Sequence, residues 1–199
     1  MRFIKDLLNK VFKHSSDDQP WLNYYNKEDN SINVTDKTIY NYMVECVGAD
    51  TDLFALNYFG TRMTFSEMFE KIDIAAKAFR SIGVKEGDIV TICVPNTPEA
   101  LISFYAVNKI GAVADMIHPL SAGNEIKYYL NESKSRVLVL FDGAYAKVED
   151  ILDDTLVHKT IIVSPKDSMP KGLSVGYTIT RGWKNKKPKF NDSDFMNWG

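Results

Sequence analysis

The chain has 199 residues, 45% of them hydrophobic and 25% charged, and a formal net charge of −2. That length supports one sizeable α/β domain whose core needs no disulfide or metal to hold it. Acids slightly outnumber bases, so the basic excess with which a nucleic-acid binder releases counterions is missing, and no nucleic-acid partner is expected.

At the amino terminus, Phe3, Ile4, Leu7, Leu8, Val11 and Phe12 recur at helical spacing with Arg2, Lys5, Lys10 and Lys13 between them. Residues 2–13 therefore read as an amphipathic helix, too interrupted by charge for a signal peptide and too short for a membrane span. Such a helix packs its stripe on protein; contact with an anionic membrane surface is the lesser alternative. The polar run from His14 to Pro20 separates this helix from the body. Trp21, Tyr24, Tyr25 and a helix over residues 38–47 are expected to wrap the core.

Residues 55–59 read as a strand and 60–62 as a tight turn. Thr64 followed by Glu67 then matches a capping box opening a helix over 65–81, with Phe69, Ile72, Ala76 and Phe79 inward. Gly83 stops that helix, and Gly87-Asp88 turns into an apolar strand over 89–94. Further on, helices are expected over 98–109, 123–131 and 144–152, and strands over 112–117, 136–141 and 160–163. Several of these strands are apolar throughout, which implies cover on both faces and hence a doubly wound, mainly parallel α/β sheet. Beyond Pro165 the pattern decays, and the cationic run Arg181 to Lys189 reads as a solvated loop. The division is thus a helix and linker over 1–19, an α/β body over 20–165 and a loop-rich tail over 166–199.

The two cysteines, Cys46 and Cys93, are far apart, and Cys93 sits inside the run Ile89 to Val94, so a reducing, cytoplasmic setting is expected. There is no CxxC or HExxH, and His14, His118 and His158 are scattered, so no metal site is expected. Asn96 lies just beyond the carboxyl end of a parallel strand, where ligands of open sheets collect, although bonding within its turn explains it as well. His118, before Pro119, occupies a similar corner, as a structural histidine or a general base. These two are the candidates for substrate contact; no residue is assigned a catalytic, cofactor-binding or metal-binding role.

Four landmarks occur in order: TFSEM (64–68), GVKEGDIV (83–90), VPNTPE (94–99) and KIGAV (109–113), followed by His118-Pro119-Leu120 and Glu125 to Leu130. Together they resemble the adenylate-forming superfamily of acyl-CoA synthetases and peptide-synthetase adenylation domains. The resemblance implies the amino-terminal subdomain of an enzyme that takes a small carboxylic acid, expected to be a fatty acid, with ATP, magnesium and CoA. It also implies a Gly/Ser/Thr-rich triphosphate loop of the type TSGTTGxPK, which this sequence lacks. The chain is therefore expected to hold no cofactor itself, to be inactive as a fragment, and to expose an apolar face prone to self-association. Alternatives are a peptide-synthetase adenylation domain, a non-catalytic interaction module and a flavodoxin-like ligand module.

Overall fold

The computed structural model describes residues 23–25, 35–182 and 194–198. The helix expected over 2–13, the linker over 14–20, Trp21 and the run 183–189 lie outside the described residues. Residues 1–36 and 37–199 form two compact units. In the first, Tyr24 and Tyr25 are solvent-exposed.

The second unit opens with α1 (Ile39–Val47), whose Thr38 side chain caps the Asn41 N–H. A hairpin follows, β1 (Phe54–Tyr58) and β2 (Thr61–Thr64), paired antiparallel. The sequence reading placed Phe59 in a strand and missed β2. In the structure Phe59 and Gly60 are the two turn residues, with φ of 51° and 92°. That pair of positive φ values suits the twist of a two-residue hairpin turn, and Asn57 Oδ1 accepts the Gly60 N–H at 3.1 Å to hold it.

Next come α2 (Phe65–Ser81), β3 (Ile89–Cys93), α3 (Pro98–Lys109), β4 (Val113–Met116), α4 (Gly123–Ser133) and β5 (Val137–Phe141). The capping box at the start of α2 is complete. Glu67 accepts the Thr64 N–H at 2.8 Å, and Thr64 Oγ1 accepts the Glu67 N–H at 3.2 Å. Gly111, at φ 79°, turns the chain out of α3, and a Cβ there would meet Glu86 Cγ at 2.9 Å. Its carbonyl accepts the Gly87 N–H at 2.9 Å, so the entries to β3 and β4 are tied together.

The helix expected over 144–152 is shorter and tighter: α5 (Tyr145–Val148) lies between 3₁₀ turns at Asp142–Ala144 and Glu149–Asp154. After β6 (Lys159–Val163) the segment expected to be featureless forms a 3₁₀ turn, Pro165–Ser168, then α6 (Lys171–Tyr177) running into a π-helical turn, Thr178–Gly182. A further strand, β7 (Phe195–Asn197), pairs with β6, so β6 is not the last strand.

The five-stranded sheet has the order β4-β3-β5-β6-β7, all pairs parallel. Successive residues alternate between its faces. Val90, Ile92, Val137, Val139, Ile161 and Val163 join one core with α1, α2 and α3, built on Tyr40, Ile72, Phe79 and Val107. Cys93, Leu138, Leu140 and Ile162 join a second core with Ile126 and Leu130 of α4 and Tyr145 and Val148 of α5. Both faces are therefore covered, which explains why these strands read as unbroken apolar runs. Ser135 secures the centre: its buried hydroxyl oxygen accepts the Thr91 N–H at 3.0 Å and lies 2.9 Å from the Val137 carbonyl.

Candidate functional site

From β3 the chain passes to β4 on one side and then returns to β5 on the other. This reversal is the switch point of an open α/β sheet, beyond whose strand carboxyl ends ligands characteristically bind. The order is also that of flavodoxin-like sheets, so topology by itself does not separate the two readings.

Asn96 and His118 follow β3 and β4, which are neighbours, so both lie at this end of the sheet, and both are exposed. His118 Nδ1 accepts the Leu120 N–H at 3.2 Å, and the His118 carbonyl accepts the Ser121 N–H at 3.1 Å. The ring is thus engaged through Nδ1 in holding its own corner. After β5, Asp142 Oδ1 accepts the Tyr177 hydroxyl at 3.4 Å.

A different feature was not foreseen. A cavity of about 390 Å³ opens between α2, α3, the turn after β6 and the end of β7. Ala75 and Phe79 of α2, Ile102 of α3, Ile161 of β6 and Trp198 form apolar walls, while Lys71, Ser81, Glu99, Asp167, Ser168 and Asn197 form its polar part. Glu99 is only 2% exposed although it sits in the first turn of α3. Ser168 donates a hydrogen bond to Glu99 Oε1; Glu99 Oε2 has no partner among the described residues. Asp167 accepts the Ser164 N–H at 3.0 Å. Burial holds the Asp167 carboxyl above the usual range, opposed by the Ser164 N–H and reinforced by the negative charges of Glu99 and Asp142. Sequence spacing gave no sign of this group, because Glu99 and Ser168 are 69 residues apart. The only local signal was an acid in the first turn of α3, followed directly by the apolar run Ala100, Leu101 and Ile102.

These residues do not suit ATP-magnesium. Glu99 and Asp167 would repel a triphosphate, and the strand-end candidates Asn96 and His118 supply no cation-binding carboxylate. Among the described residues no three His, Cys, Asp or Glu side chains gather as metal ligands, and no helix is long and apolar enough to cross a membrane.

Residues 45–194 match the family described as AMP-binding enzyme, and the chain belongs to that family. It is 25% identical over 167 residues to a long-chain-fatty-acid–CoA ligase of Bacillus subtilis, a match covering 83% of this chain and 30% of the relative. It is 32% identical over 103 residues to acetyl-coenzyme A synthetase 1 of Candida glabrata, covering 49% of this chain and 15% of that protein. Among solved structures it resembles a long-chain-fatty-acid-CoA ligase from Archaeoglobus fulgidus with a TM-score of 0.62 at 22% identity, covering 70% of this chain and 31% of that one. The chain thus spans less than a third of the length of each of these relatives.

Proposed function

We propose that this chain supplies the amino-terminal scaffold of an AMP-forming acyl-CoA synthetase of the fatty-acid type. In that reaction the carboxylate attacks the α-phosphorus of ATP, releasing pyrophosphate, and the thiol of CoA then displaces AMP from the acyl-adenylate. Fatty acid, ATP, magnesium and CoA belong to the whole enzyme, and a cytoplasmic setting goes with the reading. The family match over residues 45–194 carries it. Support comes from the ordered landmarks, three of which build the sheet's switch region. Gly83 and Gly87 lead into β3, Pro98 opens α3, and Gly111 releases the chain to β4. Residues 1–19, 20–165 and 166–199 are the proposed divisions, with α6 and β7 leading toward the remainder of the enzyme.

No triphosphate loop lies in this sequence, so the chain contributes shape rather than reacting groups. The test is ATP–pyrophosphate exchange by the full reading frame containing residues 1–199, beside the 199-residue chain alone. Exchange driven by long-chain acids in the full product, with the 199-residue chain at background, is expected. Exchange driven by amino acids would select a peptide-synthetase domain instead. No exchange with any acid would select a non-catalytic module, and turnover by the 199-residue chain would overturn the scaffold role.

A further inference from the structure

The open side of the cavity is a groove whose middle is apolar and whose rim is charged. Along α2, Ile74, Ala78 and the C-cap residue Ile82 line it four positions apart, so they share one face of the helix over about 12 Å. Ile74 is 67% exposed, and Ala78 is exposed beside it. The small Ala78 leaves a notch between its two isoleucine neighbours, the shape into which a side-chain ridge of a second helix fits. Met196 of β7 and the half-buried Trp198 line the groove as well, and the Trp198 N–H is fixed to the Ile162 carbonyl at 3.1 Å. Phe79 and Ile102 are buried and Glu99 Oε2 is sealed from solvent, so a partner meets the walls and the rim rather than Glu99. Lys71 on α2, Asp167 on the turn after β6 and Asn197 on β7 are all exposed and supply the polar rim. An apolar middle bearing Trp and Met inside a polar rim is the anatomy of a protein-docking surface.

We propose that this groove seats an amphipathic helix supplied by the remainder of the longer polypeptide to which this scaffold belongs. The inference rests on the premise, taken from the acyl-CoA synthetase reading, that such a remainder exists. The chain spans less than a third of the length of each relative compared above, so in those proteins most of the polypeptide lies outside the matched body. Polypeptide continuing from β7 leaves along the groove itself, and a helix that turns back onto it needs only a short connection. That helix sets its apolar stripe on Ile74, Ala78 and Trp198, an acid toward Lys71 and a cation or amide donor toward Asp167.

The test places a thiol in the groove with Ser81→Cys, at an exposed lining position, and a reference thiol with Tyr128→Cys, 60% exposed on α4 over the other face of the sheet. Maleimide labelling of each site is timed by peptide mass spectrometry in the 199-residue chain and in the product of the full reading frame. Ser81→Cys should react at least tenfold more slowly in the full product, while Tyr128→Cys keeps its rate within twofold. Adding Ala78→Arg, which fills the notch with a charge, should restore fast labelling of Ser81→Cys in the full product. Equal rates in the two proteins, equal slowing at both sites, or a reading frame that stops at residue 199 overturns the proposal. Slow labelling in the 199-residue chain that deepens with its concentration makes a second copy the occupant and is equally fatal. Should the Ala78→Arg product fail to fold, the Ser81→Cys comparison decides. ATP–pyrophosphate exchange on the same samples separates the two readings. Exchange with freely reacting Ser81→Cys sinks the docking and leaves the synthetase, whereas slow labelling without exchange does the reverse.

Discussion

Lys109 closes the last turn of α3, and its ammonium bonds both the Asp73 carboxylate of α2 and the Tyr40 hydroxyl of α1, the latter at 3.0 Å. It also stands 4.7 Å from the centre of the Tyr40 ring. Burial by itself would lower the Lys109 pKa, but the Asp73 and Tyr40 bonds outweigh it and raise the value above 10.5. A cation whose pKa is raised on folding stabilises fully below its unfolded pKa and loses that contribution as pH climbs through the folded one. Lys109→Met should therefore cost about 1 kcal/mol at pH 7 by urea denaturation, the partial exposure of both charges limiting the loss. The gap between variant and parent should close above pH 10.5. Cys93 behaves in the opposite sense: burial pushes its thiol up to about 12, with Lys147 pulling slightly back, so it is inert packing rather than a nucleophile.

At the scale of elements, α2 combines good helix formers with an amphipathic pattern, polar residues falling between buried Met68, Ile72, Ala75, Ala76 and Phe79, and its first turn is fixed by a cap. Thr64→Ala removes the side chain that accepts the Glu67 N–H and should lower stability by about 1 kcal/mol, read from the thermal or urea midpoint. Thr64→Ser should recover most of that loss. The same caps made α2 and α3 legible from sequence, with 65–81 and 98–109 recovered to the residue, because Thr64, Pro98, Gly83 and Gly111 mark their ends with distinct backbone chemistry. β2 and β7 were not legible. They have four and three residues, too few for any periodicity, and exist through pairing with β1 and β6. α6 carries Gly172 and Gly176 within seven residues, which argues against a helix locally. The polar cavity was hidden for another reason: it is made where α3 and the turn after β6 converge, and neither segment announces it. Asn96 and His118 were found as strand-end residues, as the topology places them, but His118 Nδ1 supports its own loop.

For the molecule as a whole, β4 is an edge of the sheet among the described residues: it pairs there with β3 alone, and Val113 and Met116 are each about half exposed. Nearby Leu120 is 71% exposed. Open parallel edges bearing apolar side chains invite pairing. The 199-residue chain should accordingly gain mass with concentration in light scattering, and Val113→Lys should suppress that gain by setting a charge on the edge. A strictly monomeric parent across the range would count against this view of the edge. The placement of β3 has a kinetic corollary. One flank of this interior strand is completed by β5, which the Thr91–Ser135 bond, spanning 44 positions, helps to fasten. A nascent chain leaving the ribosome must therefore keep an apolar segment waiting, unsatisfied on that flank, until β5 has been synthesised. Such long-range closure makes for slow maturation and a window in which chaperones have something to hold.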